Sequence, residues 1–206
     1  MVLAGRDTDR LAQTHAQLHG TGHVRVLGDL TSAADREALA IAAGATIHGL
    51  VHCAGMQKHC PIRQLTEAAM TEMYTVNFLA PVMLTQRLLQ ASAVAPRGSI
   101  VFMLSTAAHQ GTRGVGPYSA MKAGLIGIIK CLALEQAKRS IRVNGISPSA
   151  VATPIWGADQ LEAQKARHPL GLGTPQDVAN AAIYLLADAS RWVTGTSLVM
   201  DGGSIL

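Results

Sequence analysis

A tyrosine and a lysine stand four residues apart in the apolar segment GVGPYSAMKAGLIGIIKCLALE, which covers residues 114–135. On a helix, Tyr118 and Lys122 would share one face, one turn apart. A phenol with its ordinary pKa of about 10 is a poor base at neutral pH, and a neighbouring ammonium lowers that pKa by stabilising the phenolate. The spacing therefore predicts that Tyr118 passes a proton to or from a substrate oxygen.

Two further polar residues could belong to the same site. Ser105 follows the apolar run GSIVFML, and ligands bind where parallel strands end. Asn77 lies among apolar neighbours in YTVNFLAPV. Each residue has a structural alternative: a half-buried tyrosine beside a solvated lysine, a serine that caps a turn, and an asparagine bonded to a helix carbonyl. The combination, in this order along the chain, indicates catalysis.

The elements that must position these residues alternate between short apolar runs and longer helical segments. This alternation is typical of βαβ units and of a parallel sheet covered on both faces. We predict strands at 1–5, 24–27, 47–53, 98–104, 141–147 and 195–201, and helices at about 8–19, 32–44, 66–92, 115–138 and 175–188. No linker interrupts them, so we expect one α/β domain over residues 1–206, with a Rossmann-like doubly wound parallel sheet.

Composition narrows the class of protein. Hydrophobic residues make up 49% and charged residues 15% of the chain, which excludes disorder. The net charge of +4 is scattered and aromatic residues are only 3%, so no nucleic-acid partner is expected. Lys130 and Glu135 interrupt the most apolar segment, so we expect no membrane span. The cysteines and histidines lack disulfide or metal-ligand spacing, which favours reduced thiols, no metal and a cytoplasmic location.

In several ordered motifs the sequence resembles the short-chain dehydrogenase/reductase family. GSIVFMLS is similar to the family segment that ends in the catalytic serine, YSAMK to its Tyr-x-x-x-Lys motif, and VNFLAP to the segment with the catalytic asparagine. RVNGISPSAVATPI, GTPQDVANAAIYLLAD and WVTGTSLVMDGG resemble its later segments. The resemblance covers nearly the whole chain. It implies hydride transfer between a nicotinamide cofactor and a small secondary alcohol or ketone.

The resemblance also implies a role for each site residue. Tyr118 would be the general acid in reduction and the base in oxidation, and Lys122 would lower the Tyr118 pKa and hold the nicotinamide ribose. Ser105 would hold the substrate oxygen, and Asn77 would anchor a water for proton exchange. The implied cofactor-binding residues are Arg6, Asp29, Ala54, Gly55, Tyr118, Lys122, Val151 and Thr153.

Three expectations concern specificity and assembly. Arg6 follows the first strand, where a guanidinium pairs with an adenosine 2′-phosphate, which favours NADP(H) over NAD(H), although Asp7 beside it opposes this. Trp156 is a candidate pocket lid or a core anchor. Relatives pair through the helices that carry Asn77 and Tyr118, so we expect a homo-oligomer, a dimer or a tetramer.

The sequence departs from the family pattern in four places. His52-Cys53 replaces an asparagine pair, Ser149 stands where Pro-Gly is usual, and Leu104 replaces a small polar residue. The larger departure is at the amino end: strand 1–5 resembles the second strand of the family, so the first βα unit is expected to be absent, and no Gly-x-x-x-Gly-x-Gly turn precedes Arg6. Strands 1–5 and 24–27 must then pair with strand 47–53, leave a gap or find another partner.

Three explanations of that departure stay open: a shortened sequence or misassigned start, a natural form with a rearranged sheet and little cofactor affinity, or strand completion by another chain. The alternative function is therefore a non-catalytic or weakly active relative that acts as a binding or oligomer subunit. A further alternative keeps the cofactor but performs epimerisation or dehydration through a transient ketone.

Overall fold

The computed structural model describes residues 1–154 and 157–206, so Trp156 lies outside the described residues. The strands are β1 (Val2–Gly5), β2 (Val24–Leu27), β3 (Ile47–His52), β4 (Val94–Met103), β5 (Arg142–Pro148) and β6 (Ser197–Met200). The α-helices are α1 (Thr8–Ala16), α2 (Ala33–Ala43), α3 (Glu67–Tyr74), α4 (Ala80–Gln90), α5 (Gly116–Glu135), α6 (Ala158–Lys165) and α7 (Pro175–Leu186).

The alternation predicted from the sequence is confirmed, with two differences. The helix predicted over 66–92 is α3 and α4 joined by a π-helical turn, Thr75–Leu79. Helix α6 was not predicted. Its residues favour a helix, but they lack the apolar periodicity on which the sequence prediction depends.

The strands form two parallel sheets. β1 pairs with β2, and β3, β4, β5 and β6 form a second sheet in that order. Of the arrangements left open by the sequence, the structure therefore shows the gap, since β1 and β3 are not hydrogen-bonded to each other in the described chain.

Helices hold the two sheets in one body. Leu39 of α2 and Leu84 of α4 belong to one buried apolar cluster with Ile100 of β4 and Leu125 of α5. Partly buried Val2, on β1, packs against the same cluster. The Glu37 carboxylate of α2 also forms an ion pair with the Arg87 guanidinium of α4. The small sheet is thus attached through the packing of α2 on α4.

Helix α5 is the element that carries the tyrosine and the lysine. Within the described ranges it is the one helix whose length and composition would suffice to cross a membrane. Its residues Leu125, Ile129 and Ala133 pack in the apolar core against β4 and β5. Helix α5 is therefore a core helix that packs beside the sheet.

His52, one of the departures from the family pattern, is buried at the end of β3. Its ring stacks on Phe102 with centroids 4.7 Å apart, and its Nε2 lies 2.8 Å from Thr85 Oγ1. The Thr85 hydroxyl donates to the Pro81 carbonyl, so the imidazole Nε2–H is the donor to Thr85. Burial, with a smaller contribution from the Lys122 charge, lowers the pKa of His52 to about 3.

This burial predicts acid sensitivity. Because the His52 pKa is about 3 in the folded chain and 6.5 when unperturbed, the unfolded state binds the extra proton between these values. Above pH 6.5, His52 therefore causes no loss in the free energy of unfolding. As the pH falls from 6.5 towards 3, this free energy decreases, by at most about 5 kcal/mol. In urea titrations across this range, we expect His52→Asn to lose clearly less stability than wild type.

His48→Asn, an exposed change on the same strand, should follow wild type, and parallel curves for all three proteins would contradict the prediction.

Candidate active site

Ser105 lies directly beyond the carboxyl end of β4. Its backbone leaves the strand as the cap of a short 3₁₀ turn, Thr106–Ala108, and its Oγ accepts a hydrogen bond of 3.2 Å from the Ala107 N–H. The capping role given as its structural alternative is therefore real. It also fixes the hydroxyl at the edge of the sheet where ligands bind in parallel folds.

Tyr118 and Lys122 lie on one face of the first turns of α5. Pro117 is at the start of this helix, a position where its missing N–H is tolerated. The Lys122 side chain is buried, with only 4% of the residue exposed, and its Nζ lies 5.6 Å from the centre of the Tyr118 ring. Lys122 Nζ donates a hydrogen bond of 2.7 Å to the Met103 carbonyl at the end of β4. That contact ties the helix to the strand that delivers Ser105.

The pKa values in this pair correct one expectation. Burial raises the pKa of Tyr118 above its ordinary value, and interaction with the Ser105 hydroxyl opposes this only in part. Burial also lowers the pKa of Lys122 to about 8. The expectation that Lys122 lowers the Tyr118 pKa is wrong for this structure: burial raises this pKa, the group that opposes the rise is Ser105, and the Lys122 ammonium is hydrogen-bonded to the Met103 carbonyl.

Asn77 is fully buried in the π-helical turn between α3 and α4. Its Nδ2 donates to the Met73 carbonyl at 3.2 Å, as its structural alternative proposed, while its Oδ1 accepts the Met56 N–H at 3.0 Å. The amide therefore braces the loop after β3. Single π-helical turns occur often at functional sites because they redirect side chains.

Gly55 links this amide to the lysine. A Cβ at Gly55 would lie 3.0 Å from Asn77 Oδ1, which is a tight contact, and 3.7 Å from Lys122 Nζ, which is an ordinary one. Ala54 precedes it in the same loop, just beyond His52 at the end of β3. The structure thus brings Gly55, Asn77 and Lys122 together, with Ala54 next to Gly55 in the loop.

A cavity of about 240 Å³ unites the other predicted residues of the site. Ser105 and Tyr118 line one side, and Val151 and Thr153, from the loop after β5, line another. The remaining described lining is mostly polar and includes Gln57, Gln110, Thr112, Gln164 and Arg167.

His168, which the sequence analysis did not identify, also lines this cavity and is buried. Its Nδ1 lies 2.6 Å from the Gln164 carbonyl, which can only accept, so Nδ1 is the donor in that contact, and its Nε2 lies 2.9 Å from Ser149 Oγ. Ser149 Oγ also lies 3.1 Å from Ser204 Oγ. This network accounts for the serine at 149. No motif spacing in the sequence connects His168 to the other site residues. The sequence signal for this network was the unusual serine at position 149.

Arg6 and Asp29 lie away from the cavity, just beyond the ends of β1 and β2. Asp29 accepts hydrogen bonds from the Thr31 N–H at 2.9 Å and the Thr31 hydroxyl at 2.8 Å, which together with the nearby Arg6 charge lower its pKa. The Asp7 carboxylate caps α1 and pairs with Arg10 at 2.8 Å. Asp7 is thus paired with Arg10, while Arg6 beside it is exposed.

Comparison with known proteins gives consistent matches along the chain. A family profile described as enoyl-(acyl carrier protein) reductase matches residues 1–204. D-threitol dehydrogenase of Mycolicibacterium smegmatis is 33% identical, over 91% of this chain and 76% of its own. Human dehydrogenase/reductase SDR family member 4 is 30% identical over 99% of this chain and 78% of its own. A crystal structure of a short-chain dehydrogenase/reductase from Brucella melitensis superposes with a TM-score of 0.90 at 27% identity and covers 100% of this chain and 85% of its own.

Burial of the Lys122 ammonium is predicted to lower the stability of the folded chain. Because the Lys122 pKa is about 8 when folded and 10.5 when unperturbed, burial of the charge costs stability below pH 8, and this cost disappears as the pH rises towards 10.5. After allowance for the lost hydrogen bond to Met103, we expect Lys122→Met to raise the free energy of unfolding by about 2 kcal/mol at pH 7. Urea titrations should show this gain shrinking above pH 8.

The control is Lys130→Met, an exposed lysine on the same helix, which should change stability little at any pH. A Lys122→Met protein that is less stable than wild type at pH 7, or a gain that does not depend on pH, would contradict the burial argument.

Proposed function

Because the chain belongs to the short-chain dehydrogenase/reductase family of oxidoreductases, whose cofactor is NAD(H) or NADP(H), we propose that it interconverts a secondary alcohol and a ketone with Tyr118 as general acid/base. The observation that carries this proposal is the cavity shared by Ser105 and Tyr118, with Lys122 buried beside the tyrosine ring.

In the proposed mechanism the chain manages the proton. Hydride donation and acceptance are the chemistry that the nicotinamide cofactor supplies when bound. In ketone reduction, the Ser105 hydroxyl donates a hydrogen bond to the carbonyl oxygen and the Tyr118 phenol transfers its proton to that oxygen. The raised Tyr118 pKa keeps the phenol protonated at neutral pH, which suits this direction. Lys122, largely charged below pH 8, then stabilises the phenolate. Alcohol oxidation uses the same groups in reverse.

The residues fit a nicotinamide dinucleotide at two of its three parts. A Cβ at Gly55 would press on Asn77 Oδ1, and Val151 and Thr153 line the cavity of the tyrosine, which suits the nicotinamide half. Arg6 and Asp29 offer a guanidinium and a carboxylate at the ends of β1 and β2, which suits the adenosine half. No glycine-rich turn for the pyrophosphate precedes Arg6 in the sequence.

Substrate size and assembly follow from the surfaces of the described residues. A cavity of about 240 Å³ with polar walls favours a small, hydroxylated alcohol or ketone over a bulky apolar one. Leu134 of α5 is 79% exposed, and Tyr74 and Met83 beside the Asn77 turn are also exposed. These apolar residues support a homo-oligomer formed through α4 and α5. The apolar cluster that joins α2, α4 and α5 to β4 and β5 supports a single domain over residues 1–206.

A second function is favoured by the division of the sheet. The split between β1 and β3 separates the residues proposed for the adenosine half of the cofactor from those proposed for its nicotinamide half. A chain that keeps the tyrosine cavity but binds no cofactor would act as a binding or oligomer subunit. Calorimetric titration with NADPH and NADH separates the two proposals, since saturable binding supports the enzyme and an absence of binding supports the subunit.

Replacement of the tyrosine tests the proposed chemistry. With reduced cofactor and a panel of small polyol-derived ketones, we expect Tyr118→Phe to lower kcat about 100- to 10,000-fold, because the phenol proton is lost while the ring is kept. Ser105→Ala should lower kcat less than this and leave cofactor affinity unchanged. Tyr184→Phe, at an exposed position on α7, is the matched control and should turn over like wild type. Equal turnover in Tyr118→Phe and wild type would contradict the mechanism.

Replacement of Arg6 tests the preference for NADP(H). We expect Arg6→Ser to weaken NADPH binding roughly tenfold and to leave NADH binding unchanged, because only NADPH carries the phosphate that pairs with the guanidinium. Arg25→Ser, an exposed change on β2, should affect neither cofactor. If Arg6→Ser weakened both cofactors equally, Arg6 would have no part in the discrimination.

A further inference from the structure

The cavity shared by Ser105 and Tyr118 carries one arginine. Arg167, in the turn after α6, is the one lysine or arginine among the described lining residues, and none of these residues is an aspartate or a glutamate. Arg167 is exposed, and it forms no ion pair within the part of the chain that the structure describes. Its guanidinium is therefore available to a ligand in the cavity.

Acidic residues on the neighbouring segments are engaged elsewhere. The Glu162 carboxylate of α6 pairs with Lys165 at 3.5 Å. The Asp201 carboxylate accepts two backbone N–H groups of the C-terminal segment, at 3.2 and 2.9 Å. Neither acid lines the cavity. No carboxylate of the described lining therefore competes with a ligand for Arg167.

The backbone that carries Arg167 is held in place. The Arg167 N–H donates to the Gln164 carbonyl at 2.9 Å, and Nδ1 of His168, the next residue, donates to the same carbonyl at 2.6 Å. His168 Nε2 lies 2.9 Å from Ser149 Oγ, and the Ser149 N–H donates to the Met200 carbonyl at 2.9 Å. Because the base of the arginine side chain is already ordered, a ligand that binds it has less conformational entropy to overcome.

A second positive charge lies close to the reacting end of the cavity. The Lys122 ammonium is buried, 5.6 Å from the centre of the Tyr118 ring. Charges of one sign around a partly enclosed cavity raise the local concentration of ligands of the opposite sign. The electrostatic field of the site thus favours an anion over a neutral molecule of the same shape.

We infer that the cavity binds a small hydroxy or keto carboxylic acid, whose carboxylate pairs with the Arg167 guanidinium. A planar carboxylate with one negative charge matches one guanidinium, which can donate two parallel hydrogen bonds to it. A phosphate ester, with a charge close to −2, would call for a second cation in the lining. The inference rests on the proposed function for the fate of the acid, whose hydroxyl or keto group would lie at Ser105 and Tyr118, but not for its binding.

The test compares acids with their uncharged counterparts. The probes are the four-carbon acids erythronate and threonate, each paired with its primary amide, which keeps the size and the hydroxyl groups but removes the charge. By calorimetry on the full chain, we expect one or both acids to bind with a dissociation constant below about 5 mM. Each acid that binds should do so about tenfold more tightly than its amide.

Replacement of the arginine locates the site. In Arg167→Gln the preference for acid over amide should fall below about threefold, while the affinity for the amide stays unchanged, because the amide has no charge to lose. The matched control is Lys165→Gln, which removes the same charge from an exposed position two residues earlier and should keep the preference. Circular dichroism spectra of both variants should match wild type.

Four results would overturn the inference: no binding of either acid, equal binding of acids and amides by wild type, an unchanged preference in Arg167→Gln, or an equal loss in Lys165→Gln. A loss of NADPH affinity in Arg167→Gln with the acid preference kept would assign the guanidinium to the cofactor. These readouts do not depend on turnover. A preference for acids in a chain that oxidises none of them would remove the proposed activity and leave the anion site.

Discussion

The arrangement of the site depends on one buried charge. The Lys122 ammonium lies out of water, and its hydrogen bond to the Met103 carbonyl joins α5 to the end of β4. Ser105 follows that end, Tyr118 lies one turn before the lysine, and a Cβ at Gly55 would lie in tight contact with Asn77 Oδ1. Burial of a cation costs free energy that one hydrogen bond offsets only in part, and such buried charges are frequent at functional sites.

Much of this could be read from the sequence, because the signals were local. The Tyr-x-x-x-Lys spacing placed both side chains on one helical face, and the apolar run before residue 105 placed the serine at a strand end. The meaning of His52 and Ser149 could not be read in this way, since each depends on partners distant in sequence: Phe102 and Thr85 for the histidine, His168 and Ser204 for the serine. The direction of the Tyr118 pKa shift was also out of reach, because it depends on burial.

The divided sheet shows how far helix packing can replace strand pairing. β1 and β2 keep their place through the packing of α2 on α4, including the ion pair between Glu37 and Arg87. Side-chain packing satisfies the apolar faces but not the peptide groups along the two open edges. The open edge of β3 leads directly into the loop that carries Ala54 and Gly55.

The central claim is that a buried, hydrogen-bonded lysine stands beside the reactive phenol at the end of β4. The most direct measurement is an NMR titration of the lysine side-chain signals, with the Lys122 signal assigned from its loss in Lys122→Met. The structure gives a midpoint of about 8 for Lys122. A Lys122 midpoint at the ordinary value of about 10.4 for an exposed lysine would show that the ammonium is solvated and would contradict the account.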